Sequence, residues 1–138
     1  MNNDTFNTEV LIHAPIARVW RYFTDVKHIG EWASGSPDWE TTAIKNELQE
    51  GGEFLSRMAA KDGSQSFEFG GIYDEVVPLK SISYTMGDGR KAATAFEELG
   101  DAVRVAQVVD AEHENPIEMQ KAGWQSMLDN LKGVVEDA

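Results

Sequence analysis

Asn115-Pro116-Ile117-Glu118-Met119-Gln120-Lys121-Ala122-Gly123-Trp124-Gln125-Ser126-Met127-Leu128-Asp129-Asn130-Leu131-Lys132-Gly133-Val134-Val135 carries one unbroken helical pattern. Ile117, Trp124, Leu128, Leu131 and Val135 recur at spacings of seven, four, three and four, with Met127 and Val134 beside them. Such a stripe marks an amphipathic helix of about twenty residues with a polar, acidic back. Asn115 stands where an N-cap is expected, Pro116 suits the first helical position, and Glu118 falls where a capping box places a carboxylate. Gly123, inside the helix, costs about 1 kcal/mol relative to Ala. That cost predicts a close backbone approach at Gly123.

The residues before this helix must supply the apolar surface that receives it. Segments 39–48, 52–61, 66–77, 79–87, 90–99 and 102–111 are of strand length, and turn signals such as Gly51-Gly52, Asp62-Gly63 and Gly87-Asp88-Gly89 punctuate them. Gly70-Gly71 lies inside the third segment and is a candidate bulge. Ahead of these, Glu9–His13 reads as a short strand stopped by Pro15. Ile16, Val19, Trp20 and Phe23 then predict a helix over 15–25, and Ile29 and Trp32 share one side of a second helix over 26–33. The order is strand, two short helices, six strands, long helix. One long helix cannot cover both faces of a seven-stranded antiparallel sheet, but it fits the concave face of a curved one. Curvature leaves a gap between sheet and helix where a ligand would sit. The predicted class is α+β, as one domain over 1–138.

Composition narrows the function. The chain of 138 residues has 24 acidic and 12 basic side chains, a formal charge of −12 and no cysteine. One domain of this length buries about two-thirds of its unfolded surface without staples. Disulfides, thiol nucleophiles and thiolate zinc sites are excluded. The acidic balance argues against nucleic acid and against anionic membrane surfaces, because phosphate recognition rests on Lys and Arg. No apolar run approaches the length of a signal peptide or a membrane span, so a cytoplasmic location without membrane insertion is expected. His13, His28 and His113 have no metal-ligand spacing, so no metal is expected. No Gly-x-Ser-x-Gly elbow or phosphate-cradling loop occurs, and no cofactor is expected. Gly51-Gly52-Glu53-Phe54 looks like part of a cyclic-dinucleotide synthase motif but lacks an acidic residue of it; a turn leading into a strand accounts for it.

The strand over 66–77 puts Phe67, Phe69, Gly71, Tyr73 and Glu75 on one face at period two. Three aromatics beside a glycine suit a cavity wall, and equally an aromatic core. Glu75, if buried there, becomes a candidate acid or base; at a strand end in solvent, or turned outward by a bulge, it does not. Tyr84 and Ile82 share a face of the next strand, opposite Tyr73. Trp32, Trp39 and Trp124, with Met58, are candidates for a cavity mouth, while Trp20 reads as core. Arg57 and Arg90 read as rim residues, either of which can neutralise a ligand carboxylate.

Several segments together resemble the small START-like (birch-pollen-allergen-like) proteins of the activator of heat-shock-protein ATPase homologue group. These are Ala14-Pro15 with Val19-Trp20 and Glu31-Trp32; Gly51-Gly52-Glu53-Phe54 with Arg57-Met58 and Lys61-Asp62-Gly63-Ser64; Phe67 through Pro78 with Tyr84-Thr85 and Asp88-Gly89-Arg90; and Glu112 through Gln120 with Gly123-Trp124-Gln125. The resemblance implies a helix-grip fold, a seven-stranded antiparallel sheet around a long C-terminal helix with a cavity between. The group hosts lipid carriers, cyclases, hydrolases and co-chaperones, so fold alone does not select among them. The expected activity is binding of a small hydrophobic molecule bearing a carboxyl or carbonyl group, with no catalytic residue assigned. Its walls are expected from Trp32, Trp39, Phe54, Met58, Phe67, Phe69, Tyr73, Tyr84, Phe96, Trp124 and Leu128. The alternatives are a cyclase- or hydrolase-type enzyme in the same cavity, or a co-chaperone-like module. Against the latter, this length leaves no room for the separate N-terminal domain that contributes much of the eukaryotic co-chaperone's contact. A monomer and a homodimer are equally compatible with the sequence.

Overall fold

In a computed structural model describing residues 4–34 and 37–138, the chain runs β1 (Thr5–Ile12), α1 (Ile16–Thr24), α2 (Val26–Trp32), β2 (Trp39–Asn46), β3 (Glu53–Ala60), β4 (Ser66–Val77), β5 (Ser81–Met86), β6 (Lys91–Leu99), β7 (Ala102–Asp110) and α3 (Ile117–Glu136). The strands form one antiparallel sheet in the order β1-β7-β6-β5-β4-β3-β2. It curls into a half-barrel with α3 on its concave face: the helix-grip arrangement.

β1 begins at Thr5, four residues earlier than expected. Its first half alternates Phe6 and Thr8 inward with Thr5, Asn7 and Glu9 outward, so only Phe6 gives an apolar signal. Pairing with β7, from Thr5↔Asp110 to Ile12↔Val103, holds this stretch in register.

Two bulges help curl the sheet. In β2 the pairing jumps between Ala43 and Lys45. In β4 it jumps between Tyr73↔Tyr84 and Glu75↔Ser83, leaving Asp74 as the extra residue. At Gly70 and Gly71 there is no room for a side chain: a Cβ would lie 2.7 Å from the Phe54 carbonyl oxygen and 2.3 Å from that of Thr85. The space at Gly71 is taken by the neighbouring strand's backbone.

The core gathers Ile12, Val19, Phe96, Val103, Val105, Leu128, Leu131 and Val135. A second cluster of Phe6, Met86, Ala92, Val109 and Ala111 is flanked by Phe69, Tyr84 and Trp124. Across β1, β7 and β6, a buried polar row crosses the concave face. Thr8 donates to Gln107 Oε1 (3.1 Å), and Gln107 Nε2 donates to Thr94 Oγ1 (3.1 Å).

α3 is latched along β1. Gln125 Nε2 donates to the Glu9 carbonyl (2.8 Å), Gln125 Oε1 accepts from the Glu9 N–H (3.2 Å), and Lys132 Nζ donates to the Leu11 carbonyl (2.7 Å). The expected cap is replaced. Pro116 is the capping residue, without a side-chain cap bond, and Asn115 instead donates to the Glu112 carboxylate. Gln120 pins the turn: its Nε2 donates to the Asn115 carbonyl (2.8 Å) and its Oε1 accepts from the Glu112 N–H (2.8 Å). Ile117, at 36% exposure, stays outside the core, so the buried part of the stripe starts later than expected.

Candidate functional site

The latching of α3 along the β1 edge sets where space remains. Towards β3, β4 and β5 a cavity of about 430 Å3 opens between the sheet and the helix. Met119, Gln120, Gly123, Trp124, Met127 and Leu128 form the helical wall. Their spacing, pairs one residue apart repeated every four, is a single helix face. Gly123 sits in the middle of it with nothing within 4 Å of where a Cβ would be. The close backbone approach expected there is absent; the glycine widens the cavity.

Phe54 is the hub of the sheet wall, its ring centroid 4.7 Å from Tyr84, 5.2 Å from Tyr73 and 5.7 Å from Phe69. Trp124 closes the ring cluster from the helix, 6.3 Å from both Phe69 and Phe6. Phe23, Trp32 and Ala33 complete the lining from the short helices. Trp32 is fixed by its indole N–H, which donates to the Tyr22 carbonyl (2.8 Å), and by stacking on Phe23 at 5.0 Å. Two lining residues, Phe67 at 52% exposure and Met119 at 58%, mark an apolar mouth.

Eight of the eleven expected wall residues border the cavity: Trp32, Phe54, Met58, Phe67, Phe69, Tyr84, Trp124 and Leu128. Three do not. Trp39 packs on Phe67 at 5.6 Å but faces a separate surface depression with Gly30, Lys61 and Asn130. Phe96 is buried against Trp20 and Phe23, both at 5.2 Å, beneath the helices. Tyr73 is buried behind Phe54, and its hydroxyl donates to Asn46 Oδ1. Strand parity assigns a face; it does not say how far the helix covers that face.

Of the alternatives open for Glu75, the outward one holds. The extra residue at Asp74 reverses the alternation, so Glu75 is exposed and Val76 takes the partly buried position. Among the described residues, no strand carboxylate lines the cavity. Arg57 is on the outside, reaching Ser66 Oγ at 3.4 Å. Arg90 does line the rim, with its Nε donating to Asp88 Oδ2 (2.7 Å).

Sequence reasoning missed the polar lining: Ser56, Gln107, Glu112, Asn115 and Gln120. Gln107 had a signal, as the polar exception in the inward series Val103, Val105, Val109. The hydroxyls of Ser56 and Tyr84 have no hydrogen-bond partner among the described residues. Burial pushes the Tyr84 phenol well above its ordinary pKa, nearby Tyr73 adds to the shift, and Arg90 opposes it. Tyr73 is raised to about 12, again by burial, against the opposing hydrogen bond to Asn46. Both phenols are neutral near pH 7.

Among the described residues no three His, Asp or Glu side chains cluster as a metal site, and no helix is long and apolar enough to cross a membrane. His13 bonds to Glu136, and His28 bonds to Glu31 while stacking on Tyr22 at 3.9 Å.

Comparison with known proteins agrees with this architecture. The AHSA1-like protein from Aeromonas hydrophila is 36% identical over 97% of this chain and 93% of its own, with a TM-score of 0.91. A protein from Cytophaga hutchinsonii is 44% identical over 95% of this chain and 91% of its own, with a TM-score of 0.82. One from Chromobacterium violaceum is 25% identical over 96% and 98%, with a TM-score of 0.88. A search of the curated proteins gave no match. The family model described as "Activator of Hsp90 ATPase homolog 1-like protein" matches residues 13–136. On that match, supported by the START-like architecture of its relatives, the chain belongs to the activator of Hsp90 ATPase homolog 1-like family.

Proposed function

We propose that this protein reversibly binds a small hydrophobic molecule in the cavity between α3 and strands β3 to β5. The observation that carries the reading is the cavity itself. It offers about 430 Å3 of space, walled mainly by aromatic and methionine side chains, with uncommitted hydroxyls on Ser56 and Tyr84. A few polar groups in an apolar concavity of this size are the usual make-up of a small-molecule site. Reversible binding is favoured over catalysis. Glu75 lies outside, among the described residues no histidine lines the space, and the lining tyrosine is held neutral.

Native mass spectrometry of freshly purified protein tests this directly, with one apolar adduct per chain as the expected result. In parallel, N-phenyl-1-naphthylamine, an uncharged dye, should brighten and saturate on titration. Absence of both an adduct and dye binding would overturn the reading.

A further inference from the structure

We infer, resting on the binding reading above, that the ligand is an uncharged, largely apolar molecule with a carbonyl-type hydrogen-bond acceptor that the Tyr84 hydroxyl engages. The charges at the cavity's rim are already offset. Arg90 gives its Nε–H to Asp88 Oδ2 (2.7 Å) and its backbone N–H to Asp88 Oδ1 (3.1 Å), while the Glu112 carboxylate accepts from Asn115. Asp88 and Glu112 outnumber Arg90 at this rim, in a chain of net charge −12. A carboxylate entering the site would leave water to meet a cation whose charge Asp88 already offsets, with Glu112 adding like charge beside it, and such burial is costly.

The polar groups that the strands add to the aromatic walls, Ser56, Tyr84 and Gln107, are uncharged, and each retains a donor. Tyr84 remains a phenol, able to donate, at any physiological pH. Ser56 has an unengaged hydroxyl. Gln107 accepts from Thr8 and donates to Thr94, which leaves one amide N–H to give. A ligand oxygen that accepts a hydrogen bond satisfies the Tyr84 donor; a hydrocarbon leaves it unmatched, a cost comparable to a lost hydrogen bond. The space is about three times the ~150 Å3 that holds a benzene ring in an engineered apolar cavity, so a ring with a short chain fits.

Three probes on one skeleton separate the cases by dye displacement at about pH 7. These are 4-phenyl-2-butanone, its isosteric carboxylate 3-phenylpropanoate, and butylbenzene, which has no acceptor. The ketone should bind at least about tenfold more tightly than the carboxylate. Tyr84→Phe should weaken the ketone by about fivefold relative to butylbenzene, the worth of one neutral hydrogen bond. Ser56→Ala repeats the comparison with a smaller change should Tyr84→Phe fold poorly. Carboxylate binding equal to or tighter than the ketone overturns the inference and makes Arg90 the anchor. Equal losses of ketone and butylbenzene in Tyr84→Phe also overturn it. Either outcome leaves the binding reading standing; absence of both an adduct and dye binding removes both.

Discussion

Glu136 Oε2 accepts three bonds near the end of α3: from the His13 backbone N–H (2.8 Å), the His13 ring Nδ1 (3.3 Å) and Lys132 Nζ (2.7 Å). The first of these, followed by the Lys132 bond, holds its carboxyl down to about 2, against an ordinary value of 4.5. A carboxyl lowered in the folded state binds protons less readily than in the unfolded chain. Its contribution is therefore complete above about pH 4.5 and lost as the pH falls towards 2. The side chain is 29% exposed, and solvent screening keeps the value of such a cluster to about 1 kcal/mol. Glu136→Gln should lower stability by about that amount at pH 7, measured by urea unfolding. The difference from the parent should shrink towards zero as the pH falls to about 2. A gap that persists there would mean that packing, not charge, is what the substitution removes. His13 and Glu136 are far apart in sequence, and neither belongs to a motif, so this contact was not legible beforehand.

At the scale of elements, two glycines that look alike in sequence separate in space. A methyl group at Gly71 would meet main-chain atoms of the next strand, the Thr85 oxygen at 2.3 Å and the Met86 Cα at 3.1 Å. Backbone cannot step aside as a side-chain tip can. Gly71→Ala should therefore destabilise the fold by about 2 kcal/mol or more. Gly123→Ala meets nothing within 4 Å and replaces a poor helix former, so it should stabilise by up to about 1 kcal/mol. Chemical denaturation of the pair checks both signs, and a stabilised Gly71→Ala would refute the account of β4 as pinched between its neighbours. Most elements were legible because their signals are local: turn glycines bounded the strands, and the Trp124 to Val135 stripe gave α3 its period. The fate of Glu75 was not. It depends on one extra residue at Asp74, and nothing in Tyr73-Asp74-Glu75-Val76 marks which position the ladder will skip.

For the whole molecule, the cavity poses an energetic question. An enclosed apolar void costs about 24 cal/mol per Å3, so 430 Å3 left dry and empty would cost about 10 kcal/mol, comparable to a domain's entire net stability. The exposed mouth at Phe67 and Met119 lets water or a ligand occupy the space and removes most of that cost. One helix set against seven strands gave the expectation of a gap between them, but the outline of the space was not legible. It follows from α3 being held to β1 by Gln125 and Lys132, which leaves β3 to β5 uncovered and puts Ser56 and Gln107 on the lining. If this space is kept for a ligand, filling it should trade binding for stability. Gly123→Leu projects an apolar side chain from the centre of the helical wall, between Met119 and Met127. It should raise stability by about 1 to 2 kcal/mol through helix propensity and apolar burial. It should also weaken N-phenyl-1-naphthylamine by at least about tenfold, the effect of losing roughly 1.4 kcal/mol of binding. A variant that gains stability and still binds the dye at parental affinity would place the dye outside this cavity and leave the helix-grip space without a demonstrated occupant.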